Sequence, residues 1–259
     1  VIKSGIQDKE GGITMKYFII SAINLLAFLF MISTNYFFPE SRNVSKISDS
    51  INAFITPAGY AFSIWGLIFL LLALYAVRQF FAKGIDKEIY EKVGLWFALN
   101  VIFNGLWSPV FGSENVALSL VIILGVLVTL IVIYTKTQNA TKHHSWLMRL
   151  PFSIYIGWVS VATIVNVFTL LKYKGITELF GVSEYGWTII MLLVGGLLSI
   201  YFTMKNRDIA YSLVFIWAYI AIIVQRQDMH AIVITASISI VLIIIFIIVS
   251  LIRRKKRLS

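Results

Sequence analysis

Residues 116–135 read Val-Ala-Leu-Ser-Leu-Val-Ile-Ile-Leu-Gly-Val-Leu-Val-Thr-Leu-Ile-Val-Ile-Tyr-Thr. The stretch carries no charge, and as a helix it has the length of roughly 20 residues that a bilayer's hydrocarbon core requires. Only Ser119, Thr129, Tyr134 and Thr135 bring a polar side-chain atom into it. In hydrocarbon every backbone N–H and C=O must be paired within the protein, which a helix does within one segment. The run is too long and unbroken for a barrel strand. It predicts a transmembrane helix.

Seven more apolar runs flank it: Tyr17 to Phe38, Ala58 to Phe81, Val93 to Phe111, Leu150 to Leu171, Gly186 to Met204, Ile209 to Gln225 and Ala231 to Ile252. The expected fold is therefore all-α, a polytopic transmembrane helix bundle of eight spans. Composition agrees. Hydrophobic residues make up 59% of the 259 and charged ones 13%, with a mean hydropathy of +0.88. A soluble domain carries nearer a quarter charged residues.

The net charge of +10 invites a nucleic-acid reading, but its distribution follows the positive-inside rule. With the N-terminus inside, the cytoplasmic segments hold Lys3, Lys9, Lys16, Arg78, Lys83, Lys87, Lys92, Lys136, Lys142, Arg149, Lys205, Arg207 and the five residues from Arg253 to Arg257. That is 17 of the 22 basic residues. The opposite side holds Arg42, Lys46, Lys172, Lys174 and Arg226. Both termini are expected to be cytoplasmic, the closing basic run serves as a stop-transfer anchor that attracts anionic headgroups, and no nucleic-acid partner is expected.

Cysteine is absent, which removes disulfides, thiolate metal sites and lipidated-cysteine anchors. Residues 1–14 are polar and lack the apolar stretch of a signal peptide. Glu10-Gly11-Gly12 has codons that match a bacterial ribosome-binding sequence shortly before Met15, so residues 1–14 are expected to be a misread leader or a disordered tail. The same reading favours a bacterial plasma membrane.

Ionisable groups inside spans mark proton relays, ion paths and metal sites because they are costly there. No Asp, Glu, Lys or His falls mid-span in this sequence. His143 and His144 sit in a basic loop with no acidic neighbour. Walker A, GxGxxG, HExxH and GxSxG patterns are missing. No catalytic or metal-ligating residue is predicted.

Neutral side chains remain, and they fall at helical spacing. Asn100, Asn104 and Trp107 share one face of the third span; Tyr155, Trp158, Ala162 and Asn166 share one of the fifth; Phe62, Trp65 and Phe69 stripe the second. Two readings follow from spacing. The three faces converge on a pocket, or the asparagines bond between helices while the tryptophans pack or sit in interfacial belts. Trp187 suits a belt, and Gly195 with Ser199 suits close helix packing.

Three segments resemble the tryptophan-rich sensory protein family, also called TspO/MBR or translocator proteins, whose members have five transmembrane helices. The first is Pro57-Ala58-Gly59-Tyr60-Ala61-Phe62-Ser63-Ile64-Trp65-Gly66, in which Thr56 replaces one of the family's paired prolines. The second, Asn104-Gly105-Leu106-Trp107-Ser108-Pro109-Val110-Phe111-Gly112, is similar to the family's Asn-x-x-Trp-x-Pro segment. The third and most specific runs from Tyr155 to Asn166 and resembles its Tyr-x-x-Trp-x-x-x-Ala-Thr-x-x-Asn helix.

The resemblance covers residues 17–171. It implies a five-helix domain over residues 15–171, followed by three further spans over 172–252 and a basic tail at 253–259. It also implies an apolar pocket closed by the loop of residues 39–56. Trp65, Asn104, Trp107, Trp158, Ala162 and Asn166 become pocket residues by their match to the motifs, with Tyr60, Phe62, Asn100 and Tyr155 beside them. The implied ligand is a porphyrin or haem-type tetrapyrrole or a similar hydrophobic molecule. The implied partners are membrane lipid, that ligand and a second copy of the chain as a homodimer. The family's sterol-recognition segment is not evident after Asn166. The expected role is sensory binding; the alternatives are transport of such ligands and light-dependent porphyrin breakdown.

Overall fold

The computed structural model describes residues 2–138 and 145–255, with side chains from 15–138 and 145–253. His143, His144, Lys256 and Arg257 lie outside the described residues, as do the side chains of the leader.

Among the described residues ten α-helices follow in order: α1 (Ile2–Phe37), α2 (Val44–Ile51), α3 (Ile64–Arg78), α4 (Gly84–Val93), α5 (Trp96–Gly112), α6 (Val116–Gln138), α7 (Leu150–Tyr173), α8 (Glu184–Asn206), α9 (Ile209–Gln225) and α10 (His230–Lys255). Short 3-10 turns occupy Glu40–Asn43, Gly59–Ser63, Gln79–Phe81 and Trp146–Met148. A two-residue hairpin pairs β1 (Glu178–Leu179) with β2 (Val182–Ser183) ahead of α8. Helix starts are capped by sequence-local oxygens: Ser183 Oγ accepts from the Gly186 N–H, and Asp208 Oδ1 from that of Tyr211.

All eight predicted apolar runs form helices, yet not all reach membrane length. Among the described residues six helices are long and apolar enough to cross, seven if α4 and α5 count as one bent span. Two physical facts account for the difference from the expected eight. α9 has 17 residues, about 25 Å of helix against roughly 30 Å of hydrocarbon. The third run does not begin at Val93. There the chain turns by 57° between α4 and α5, at Gly94, whose φ of +53° only glycine adopts freely. α4 carries Asp86, Lys87, Glu88, Glu91 and Lys92 with a buried Ile89 and Val93. It is an amphipathic helix at the foot of the span.

Five helices close a ring in which α1 packs on α3, α3 on α7, α7 on α6, α6 on α5, and α5 back on α1. Small residues permit the close approaches. A Cβ on Gly105 of α5 would stand 2.9 Å from the Met31 Cα of α1. One end of the ring is plugged by Tyr75, Tyr90, Phe97 and Phe152, whose centroids lie 4.6–5.1 Å from that of Tyr75.

Helices α8, α9 and α10 pack on one another outside the ring and join it through α9, which lies on α7 and on the Gly59–Ser63 turn. Gly195 supports this packing as expected: a Cβ there would meet the Tyr219 hydroxyl at 2.5 Å. Trp187 donates to the Leu179 carbonyl of the hairpin at 2.9 Å. At the other end Asp208 accepts from Tyr134 at 2.7 Å and Ser153 at 2.5 Å, with Arg149 3.8 Å away, fastening α9 to α6 and α7. α7 is 61% buried over its apolar window and α10 only 22%. α7 is thus the central helix, and α10 offers most of its aliphatic surface outward, as lipid contact requires.

Candidate functional site

Opposite the aromatic plug, the ring encloses a cavity. Phe62, Trp107, Phe111, Trp158 and Ala162 form its main walls, with Pro57, Val161, Val165, Asn166 and Thr169 between them. Its roof is the connection of residues 39–56, which supplies Val44 and Ser48 from α2. Empty space among these residues amounts to about 390 Å³ counting crevices and the open mouth. The walls stand close together, with little free space between them.

Trp65 is the hub beneath it. Its ring lies 5.5 Å from Phe69, 5.9 Å from Tyr155, and 6.4 Å from both Trp107 and Trp158. Phe62 meets Trp158 edge to face at 5.9 Å, and Phe111 stacks on Trp107 at 5.2 Å. Such offset and edge contacts fix rings without filling the space above them.

The polar groups explain how the tryptophans are held. Trp107 donates its indole N–H to Asn166 Oδ1 at 3.0 Å, and the Asn166 amide donates to Ser119 at 3.2 Å. Asn104 donates to the Tyr155 hydroxyl at 2.7 Å. The Trp158 indole N–H is different: it is buried and has no hydrogen-bond partner among the described residues. Leaving a buried donor unpaired costs roughly 1–3 kcal/mol.

The chain fits one family. A family model described as TSPO-like protein matches residues 20–249. The chain belongs to the TSPO-like protein family. No curated protein and no solved structure matches it. The TSPO-like match runs well beyond the three motif segments and takes in α8, α9 and most of α10, so the helices outside the ring lie within the family's matched length.

Against this TSPO-like frame the ten predicted residues divide. Phe62, Trp107, Trp158, Ala162 and Asn166 line the cavity, while Trp65, Asn104 and Tyr155 form the layer that supports it. The structure does not bring Asn100 or Tyr60 to it. Asn100 donates to the Val126 carbonyl and to Thr129 of α6, the helix-pairing role that spacing alone had left open. Tyr60 sits on a 3-10 turn rather than an α-helix, which rotates its ring onto Trp217 of α9 at 5.4 Å. Sequence reasoning quoted Pro57 and Phe111 in the motifs without placing them in the pocket, and missed Val44, Ser48, Val161, Val165 and Thr169. Val44, Ile47 and Ile51 are spaced three and four apart in a polar loop, a short amphipathic signal that would have revealed α2.

The roof is fastened from outside the ring. Arg226, just beyond α9, is 5% exposed and donates to the carbonyls of Ala53 at 2.7 Å and Phe54 at 3.0 Å. Burial lowers its guanidinium pKa from the ordinary value, and Glu184, Asp228 and Asp49 counter that. Glu184 Oε1, at the start of α8, accepts the Phe54 N–H at 2.7 Å. Lys172 donates to the Asn52 carbonyl at 2.8 Å and pairs with Glu184 at 3.1 Å. Further along, the Ala58 N–H donates to the Ala221 carbonyl and Trp217 to that of Ala61, both at 3.1 Å. Residues 53–61 are thus laid antiparallel along α9.

Proposed function

We propose that this TSPO-like membrane protein binds a flat, hydrophobic ligand of the tetrapyrrole class in the roofed cavity and acts as a sensor of it. The observation that carries the reading is Trp158, whose ring forms the cavity wall and whose buried N–H is unpaired. A planar aromatic ligand gains by stacking on the tryptophan walls, and a ligand acceptor group would relieve the indole donor. Ala162 leaves the gap between them.

In the same reading all eight apolar helices lie in a plasma membrane, with α9 sheltered among its neighbours and both termini cytoplasmic, as the basic-residue asymmetry supports. Besides lipid, the partners are the ligand and a second copy of the chain.

The test is titration of the detergent-purified protein with protoporphyrin IX in the dark, followed by tryptophan quenching. Saturable binding weakened about tenfold or more in both Trp158→Ala and Ala162→Phe is the expected result. Partitioning that does not saturate, and that neither substitution alters, would sink the tetrapyrrole reading.

A further inference from the structure

The cavity roof is weakly built in itself. α2 has eight residues, too few to be stable as a helix alone. It ends at Asn52, whose left-handed φ of 53° turns the chain and whose N–H caps the Ser48 carbonyl. Ser48 lines the cavity, so residues 52–54 hold the end of the roof that faces it.

Those residues are gripped by charge. Arg226 takes two successive carbonyls, Lys172 takes the one before, and Glu184 takes the Phe54 N–H. Lys172 and Arg226 also lie over the Phe54 ring, 4.5 and 5.9 Å from its centre. Two of the three charged groups belong to the helices outside the ring. All grip backbone atoms, and charge-assisted hydrogen bonds are about twice as strong as neutral ones.

We propose that Arg226, Glu184 and Lys172 form a charged latch by which α8 and α9 hold the cavity roof shut, so that release of the latch opens the cavity. The proposal rests on the cavity being the working site. Its test reads the roof without ligand, so its failure is distinct from that of the tetrapyrrole reading.

The chain has no cysteine, so Ala162→Cys places one thiol on the cavity wall. In the full-length protein in detergent, modification of that thiol by a small neutral maleimide is timed alone and combined with Arg226→Gln or Glu184→Gln. The expected result is modification about tenfold faster with either latch substitution. Hydrogen exchange should quicken in residues 44–56 and stay unchanged in α5 and α7. An unchanged modification rate in both combinations overturns the latch. So does faster exchange spread evenly over α5 and α7, because the charges would then support the whole bundle rather than its roof.

Discussion

Trp107 of α5 donates its indole N–H to the side-chain oxygen of Asn166 on α7 across 3.0 Å, and both residues face the cavity. The two helices do not adjoin in the ring, because α6 stands between them. The bond therefore crosses the bundle and fixes the width of the site.

Asn166→Leu removes that acceptor and the bond to Ser119, leaving the Trp107 N–H buried and unpaired. A loss of about 1–2 kcal/mol is expected, together with weaker ligand binding. Asn100→Leu should cost a similar amount of stability and leave binding unaltered. Thermal unfolding in detergent, run beside the porphyrin titration, separates the two.

Replacing tryptophan by phenylalanine has unequal consequences at two neighbouring rings. Trp107→Phe forfeits a made hydrogen bond, whereas Trp158→Phe deletes a donor that is already unpaired. Trp158→Phe is expected to be the milder by about 1 kcal/mol in denaturant titration. Equal losses would show that the Trp158 N–H is satisfied in the folded protein.

Gly105 and Gly66 make a matched pair. A Cβ at Gly105 would meet the backbone of α1, while one at Gly66 meets nothing within 4 Å. Gly105→Val should destabilise by about 1–3 kcal/mol through overpacking. Gly66→Ala should be neutral or stabilising by up to about 1 kcal/mol from helix propensity. Melting temperatures of the two variants check the contrast.

Asp208→Ala strips acceptors from Tyr134 and Ser153 and the cap from α9. Hydrogen bonds to a charged group contribute more than neutral ones, so about 2–3 kcal/mol is expected. Limited proteolysis should then cut first near the α8–α9 turn, since that joint holds α9 to the ring.

The helices were legible because hydrocarbon leaves the backbone no other solution, and eight apolar runs mark them plainly. What escaped was polar or short. α4 hides its apolar stripe among five charges, and α2 spans barely two turns. Within the site, helical spacing told which face a residue occupies but not its depth. Asn100 shares a face with Trp107 yet lies seven residues below it, about 10 Å along the axis, where α6 rather than the cavity meets it. Tyr60 entered through its motif match, but a 3-10 turn carries its ring to Trp217 instead. Arg226 left no local signal, because its partners are 172 and 173 residues away.

The way residues 53–61 lie along α9 also bears on how the protein is made. The backbone groups of Ala53, Phe54, Ala58 and Ala61 find partners in Ala221, Arg226 and Trp217, which leave the ribosome more than 150 residues later. During synthesis the ring of five helices can assemble in the bilayer with α2 laid on α5 and α7, but residues 53–61 lack these partners until α9 has been inserted. The last helices thus complete the fastening of the first site to be translated.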